Sequence, residues 1–208
     1  MKLASTFSLL FAFLIFACSD DEKGGGKEPH SPSYSSSSQI YMKVDTLPLG
    51  QFGQSYRIMK IGSLTWFAQN LNDTSTSGKW WCYGNIDAHC DTFGKLYDWD
   101  AANHVCPNGW HLPSRNEWED LSDFLLSYPN NILTEAWWNA TYGGYRHENE
   151  EDFTKWYYLR EQAYWWTSTS ASRDRAYCYY TINGQTRLNR CSDEEKAKGL
   201  SVRCVKNN

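Results

Sequence analysis

The stretch 106–118, reading C-P-N-G-W-H-L-P-S-R-N-E-W, limits the fold more tightly than any other part of the chain. Pro107, Asn108 and Gly109 spell a turn, and Trp110 to Leu112 a short extended piece. Ser114 with Glu117 is an S-x-x-E capping box that starts a helix. Beyond it Trp118, Leu121 and Leu125 fall at i, i+3 and i+7, the apolar face of an amphipathic helix that ends before Pro129. Arg115, Glu119 and Asp123 lie on the opposite face. A cysteine, a tryptophan of buried type and a helix start therefore meet at one junction. The rest of the chain has to close around it, with Trp118 and Leu121 in the core.

The chain of 208 residues has room for one compact domain behind a non-globular front end. Its net charge is -4, with acids and bases interspersed. It lacks the basic stripe that follows a phosphate backbone, so nucleic acid is not an expected partner. Aromatic residues make up 16%, with 11 Trp and 14 Tyr. That is more than a core this size needs, and some rings are expected on a surface facing sugar or protein. The plainer alternative is a loop-rich domain that packs its core on aromatics.

Residues 1–17 read as a signal peptide, with Lys2 as its positive end and an apolar run too short to span a membrane. Ile15-Phe16-Ala17-Cys18 resembles the lipobox of bacterial lipoproteins, which makes Cys18 the expected lipidation site and acyl chains such as palmitate the expected anchor. An ordinary secretory signal with a chance cysteine is the alternative. Ser19-Asp20-Asp21-Glu22 is similar to the acidic export signal of bacteria related to Bacteroidetes. That resemblance implies an outer membrane lipoprotein exposed at the cell surface, with a periplasm-facing protein as second choice and a merely solubilising acidic run as the third reading. Residues 18–49, rich in Gly, Ser and Pro, form a flexible tether with a reach of roughly 30 Å. The folded domain is expected over 50–208.

Within that domain, residues 56–61 and 64–71 alternate around Gly62-Ser63, which predicts a hairpin. A further edge strand is read at 40–49, ended by Pro48. Residues 93–102 are helix-like, and 130–149 irregular. The run 157–170, containing Trp165-Trp166-Thr167, is rich in β-formers. Residues 176–182 and 185–190 flank Asn183-Gly184, the signature of a type I′ hairpin turn. Residues 200–205 form a last strand. The fold class is α+β, mostly antiparallel strands and hairpins with one or two helices.

With Cys18 set aside, six cysteines remain, at 82, 90, 106, 178, 191 and 204. An exported chain meets oxidising conditions, and fifteen pairings are open. The scheme taken forward is Cys82 with Cys90, Cys178 with Cys191, and Cys106 with Cys204. The second pair is awkward, because a two-residue turn at 183–184 sets Cys178 opposite Asn189 and leaves Cys191 on a diagonal of roughly 7 Å. Either the strands bulge or Cys191 has left the hairpin. His89, His104 and His111 with Cys82, Cys90 and Cys106 offer metal-ligand chemistry, but the C-x2-C and H-x3-H spacings are missing and no metal is expected.

The motifs Y-R-I-M-K-I-G-S-L-T-W-F-A-Q-N-L-N (56–72), C-Y-G-N (82–85), F-G-K-L-Y-D-W-D-A-A (93–102), C-P-N-G-W-H-L-P-S-R-N-E-W-E-D-L (106–121), Y-W-W-T-S-T (164–169) and S-V-R-C-V-K (201–206) together resemble the Fibrobacter succinogenes major paralogous domain. The resemblance covers about residues 50–206 and implies secreted or lipid-anchored bacterial proteins of unassigned activity. L-P-S-x-x-E-W, W-x-S-T and V-R-C-V more distantly resemble the C-type lectin-like fold as used by formylglycine-generating enzymes. That fold implies a long-range disulfide from the first helix region to the last strand and a second from the central strands to a neighbouring loop. Cys106 with Cys204 and Cys178 with Cys191 match it, and Cys191 would then lie in a loop. Two departures matter. The segment between the helix and Gly143 is short, and neither an E-P-N or W-N-D calcium motif nor the paired catalytic cysteines are present.

Three functions follow. The first is a non-catalytic binding module for polysaccharide or an envelope component, using Trp80, Trp81, Trp137, Trp138 and Trp165 as candidate ligand-binding rings. The second is a structural surface or assembly protein without a small ligand. The third is an enzyme, for which Asp98, Asp100, Glu117, His104 and His111 are present without a spacing that unites them, so no catalytic residue and no cofactor is assigned. Cys18→Ala should move the protein from membrane to soluble fractions, and mass spectrometry should find an acylated Cys18 at the mature N-terminus. An unmodified N-terminus elsewhere removes the lipoprotein reading.

Overall fold

The computed structural model describes residues 45–48, 55–127, 138–147 and 155–207, and for 45–48 the backbone alone. All lie within the compact unit Ser37–Asn208. Cys18, the leader and Trp137 fall outside the described residues.

The first strand, β1 (Asp45–Pro48), pairs antiparallel with β2 (Ser55–Ile61). The domain thus begins before residue 50. A turn with Gly62 at φ 59 leads into β3 (Leu64–Phe67), as the alternation predicts. Next come β4 (Trp80–Trp81), a 3-10 turn at Tyr83–Asn85 and α1 (Asp87–Phe93). The helix-like run 93–102 is divided. Gly94 ends α1 at φ 79, the Lys95 N–H donates to the Leu71 carbonyl, and the chain is drawn into β5 (Leu96–Tyr97). Asp98 then accepts the Ala101 N–H and starts α2 (Trp99–His104). A turn at Gly109 gives β6 (Trp110–His111), followed by α3 (Arg115–Ser127). The described residues therefore hold three α-helices, where one or two were expected, because a helix of six or seven residues is too short to show apolar periodicity in sequence. The remaining strands are β7 (Tyr145–Arg146), β8 (Trp156–Tyr157), β9 (Gln162–Ser170), β10 (Arg175–Ile182), β11 (Asn189–Arg190), β12 (Glu194–Glu195) and β13 (Val205–Lys206).

One sheet has the order β1-β2-β3-β13-β6; in another, β10 pairs with β9, β11 and β12. The β9–β10 hairpin is buried on both faces. Trp166, Ala176 and Cys178 enter one core with Tyr56, Phe67 and Tyr97, whereas Ala163, Trp165 and Tyr179 enter a second with Met59, Trp66 and α3. Period-two alternation is what sends neighbours to opposite cores. In the second core Trp118 lies 5.6 Å from both Trp165 and Tyr179 and 5.1 Å from Trp66, ring centre to ring centre. Among the described residues the buried indole N–H groups of Trp118 and Trp138 have no partner, so shape rather than hydrogen bonding selects these rings.

The disulfides are Cys82–Cys90, Cys106–Cys204 and Cys178–Cys191. The awkward register of the last pair resolves. Tyr179 pairs with Arg190 and Tyr180 with Asn189, a shift of two positions that sets Cys191 against Cys178 at a Cα separation of 5.2 Å. The type I′ turn does not form, since of the Asn183-Gly184 pair only Gly184 takes a positive φ. The reason is competition for backbone. The Asn183 N–H donates to the Glu161 carbonyl and prolongs the β9–β10 ladder, so the chain must travel further before it returns as β11.

The end of the chain, 199–206, ties these parts together. Leu200 exchanges backbone hydrogen bonds with Tyr97, Gly199 with Arg146, and Ser201 bridges Tyr164 and Trp166; Leu71 and Phe67 donate to the Val202 and Cys204 carbonyls. Arg203 lies within this segment, 0% exposed. Its guanidinium donates to Asn70 Oδ1 (2.8 Å) and to the carbonyls of Phe67 (3.1 Å), Trp138 (2.9 Å) and Asn139 (2.8 Å), and lies 4.6 Å over the Trp138 ring. Arg203→Lys cannot reach this fork of acceptors. It should cost about 3 kcal/mol or more, in the range of a broken buried charge network, and Trp118→Ala should cost about 3 to 5 kcal/mol as a core deletion. Chemical denaturation of both variants checks this, and a loss below about 1 kcal/mol for Arg203→Lys would remove the network from the stability argument.

Candidate functional site

The five candidate tryptophans separate. Trp138 and Trp165 are fully buried and are corrected to core residues. Trp138 lies beneath Arg203, and Trp165 donates its indole N–H to Asn70 Oδ1 at 2.9 Å. Both face inward because the strand and turn that carry them are sandwiched between cores. Trp80 is 38% exposed, and the Lys95 ammonium sits 4.8 Å from its ring centre. Trp81 is half-buried, with the Arg146 guanidinium 4.1 Å over its ring. Gly199 makes room for it, since a Cβ there would come within 3.0 Å of the indole.

The aromatic surface is larger than these two rings and centres on the β7–β8 ribbon. Arg146 pairs with Trp156 and Tyr145 with Tyr157, so the ribbon offers an arginine–indole pair on one face and a pair of phenol rings on the other. On one side Arg146 lies between Trp81 and Trp156, and Trp156 meets Tyr83 at 5.3 Å. On the other, Tyr145 stacks on Tyr157 at 5.0 Å and meets Tyr164 edge-on at 5.0 Å, and Tyr164 stacks on Tyr180. Burial raises the Tyr145 phenol to about 12 and pushes Tyr164 up as well, so both hydroxyls are neutral hydrogen-bonding groups. Gly144 permits the tight ribbon, because a Cβ there would meet the Tyr157 carbonyl at 2.0 Å. At the ribbon's end Tyr158 is 43% exposed with φ 60, and Arg160 follows at φ 63. A bulky side chain in the left-handed region is disfavoured by roughly 1 to 2 kcal/mol. The ring is displayed at a conformational cost.

Sequence reading missed this ribbon. The signal was Trp156-Tyr157-Tyr158, three consecutive aromatics after Lys155 and before Leu159-Arg160, which neither helical nor strand alternation would bury together. Beside it a hollow of about 250 Å³ is lined by Lys79, Trp81, Asp98, Arg146, His147 and Glu195. A larger one, about 410 Å³, lies between the loop after β3 and α1 and is lined by carboxamides and hydroxyls.

Of the titratable residues weighed for catalysis, Asp98, Glu117 and His111 serve helix starts and His104 a helix end. Asp98 caps α2, and His104 faces the Asp100 carbonyl across one helical turn. Glu117 accepts from the Ser114 N–H (2.7 Å) and hydroxyl (2.8 Å), the Ser114 oxygen accepts the Glu117 N–H, and His111 Nε2 lies 2.9 Å from the second carboxylate oxygen. The six domain cysteines are all in disulfides and offer no thiolate.

The class of protein is thereby defined: a disulfide-stapled α+β domain, built mostly from short antiparallel strands with a few short helices around two aromatic cores. The chain carries a Fibrobacter succinogenes major domain, whose family model matches residues 59–141. The match begins within β2, takes in β3, the first disulfide, the junction and α3, and stops short of the aromatic ribbon. No curated protein and no solved structure matches the chain. Among the described residues no helix is long and apolar enough to cross a membrane.

Burial works to raise the Glu117 carboxyl, but the bonds from the Ser114 N–H, the Ser114 hydroxyl and His111 together hold it below its usual value. A depressed folded-state value contributes stability that is complete above the unfolded value and is lost as pH falls through the folded one. Thermal melts between about pH 6 and about pH 3 should therefore show a smaller acid-induced drop in Tm for Glu117→Gln than for wild type. Equal drops would mean that the capping carboxylate is not linked to folding.

Proposed function

We propose that the chain is a non-catalytic binding module, tethered by Cys18 to the outer membrane and exposed at the cell surface, that takes a polysaccharide or another envelope component on the β7–β8 aromatic ribbon. The observation that carries this is Tyr158. Its ring stands 43% exposed on a left-handed backbone, next to the half-buried Tyr145, Trp156 and Tyr157. Strain of this kind is retained where a side chain has work to do at that spot. Half-buried rings with polar tips suit sugar faces, since the ring stacks while its rim stays wet. Lys198 and Glu194 supply the polar rim, with Lys198 Nζ 2.6 Å from Glu194 and 5.2 Å from the Tyr145 ring centre.

The scaffold is read as C-type lectin-like. Two of its three disulfides support that reading: Cys106–Cys204 ties the chain before α3 to the residue that leads into the last strand, and Cys178–Cys191 ties the central hairpin to the residue just after β11. The binding surface moves accordingly, from the five tryptophans first considered to Trp80, Trp81, Trp156 and the tyrosines of the ribbon.

Co-sedimentation with insoluble and envelope polysaccharides tests the proposal. Trp156→Ala and Tyr158→Ala should each weaken binding roughly threefold to tenfold, the worth of one aromatic contact. Tyr158→Gly should weaken binding while raising Tm, because glycine adopts the left-handed backbone without penalty. A protein that binds no polysaccharide, or a Tyr158→Gly variant that loses stability and keeps binding, would overturn the ribbon as the site and favour the structural reading.

A further inference from the structure

The amide-lined hollow of about 410 Å³ is a site that the aromatic ribbon does not use. Its walls include Gln69, Asn72, Asp91, Asn139 and Thr141, with Asn70 and Phe93 among its lining. Asn70 is fully engaged, with its oxygen held by Arg203 and Trp165 and its amino group spent on Phe93, Thr141 and Ser201. Gln69 and Asn72 differ. Gln69 Oε1 accepts the Arg57 N–H at 3.3 Å, and Asn72 Oδ1 accepts from Lys95 Nζ at 2.5 Å. Each oxygen faces a group able only to donate, which fixes the orientation of both carboxamides. Each amino group is then left with two donors and no partner among the described residues.

The other walls supply the complement. Asp91, exposed on α1, is an acceptor, and no cation lines the hollow. The Asn139 carbonyl is held by Arg203, which fixes an exposed carboxamide at a left-handed position, φ 45, on the rim. Lys95, the residue that orients Asn72, also lies against the exposed Trp80 ring and so connects the hollow to an aromatic platform. Preset amide donors, one carboxylate and a nearby indole form a set that pairs with vicinal hydroxyls, while a carboxylated ligand would meet the carboxylate of Asp91, the charged side chain of the lining.

We propose that this hollow is a subsite for one uncharged sugar residue of a glycan, with the amino groups of Gln69 and Asn72 donating to its hydroxyl oxygens and Asp91 accepting from a hydroxyl. It deepens the reading given above, since both take a glycan as ligand, but it stands on different residues.

The test uses the full-length protein and short neutral oligosaccharides of gluco, xylo and manno configuration, with a uronate oligosaccharide as the charged arm, followed by calorimetry and saturation-transfer NMR. Gln69→Glu with Asn72→Asp keeps both accepting oxygens and replaces both donors by acceptors. This double variant should bind a neutral oligosaccharide at least tenfold more weakly than wild type with Tm unchanged, whereas Tyr158→Ala should bind it as wild type does. If the double variant lowers Tm, Asp91→Asn on the exposed helix face carries the same test and should raise affinity for the uronate. The proposal is overturned if no neutral oligosaccharide binds, if binding ignores both sets of substitutions, or if wild type prefers the uronate. Polymer binding that depends on Trp156 and Tyr158, with no oligosaccharide binding, would remove the subsite and leave the ribbon standing. Oligosaccharide binding that depends on Gln69, Asn72 and Asp91, with polymer binding indifferent to Trp156 and Tyr158, would remove the ribbon and leave the subsite standing.

Discussion

The arrangement depends on one buried guanidinium. Arg203 sits at 0% exposure, and among the described residues no carboxylate is paired with it. Burial and the neighbouring Arg57 both push its pKa down, yet the group is held by a ring of oxygens that are already fixed by backbone. Taking a charge out of water costs several kcal/mol unless such acceptors replace the solvent. The acceptors come from the end of β3, from Asn70 just after it and from the segment 138–139, parts far apart in sequence. Satisfying one side chain therefore fixes three pieces of chain at once.

That constraint explains why the last strand is central although it forms little regular sheet. The segment 199–206 donates and accepts backbone hydrogen bonds with the first hairpin, β5, β7 and β9 in turn, and Cys204 is further linked to Cys106. In the loop-entropy description a link across so long a loop is worth about 4 to 5 kcal/mol, and the local Cys82–Cys90 loop less. Two aromatic cores can then form on either side of the β9–β10 hairpin, each from parts that the terminal segment has brought together. The same packing decides which aromatics are left outside. Trp138 and Trp165 are drawn under Arg203 and against Asn70, while Trp80, Trp156 and Tyr158 remain at the edge of the frame. The proposed ribbon and the amide-lined hollow both border elements that Arg203 or its partner Asn70 positions.

The sequence by itself determined the local elements whose cause is local. The S-x-x-E box after Cys106 closes with the reciprocal bonds between Ser114 and Glu117 that its spacing requires, and Trp118, Leu121 and Leu125 are buried as their helical spacing dictates. The first hairpin turns at Gly62, where a positive φ suits glycine. The family signature over 59–141 was likewise legible, because it is carried by contiguous motifs. Tertiary structure alone decided the rest. Asn183-Gly184 carries a strong local preference for a two-residue turn, but the Glu161 carbonyl captures the Asn183 N–H and moves the register by two, which is what aligns Cys178 with Cys191. Alternation in Trp165-Trp166 could not disclose that both faces of the strand would be buried, since that needs a second core behind the first. Nor could spacing reveal that Gln69, Asn72 and Asp91 share one hollow or that Tyr158 would be held out on a left-handed backbone. Those placements come from contacts between segments distant in sequence, and no periodicity records them.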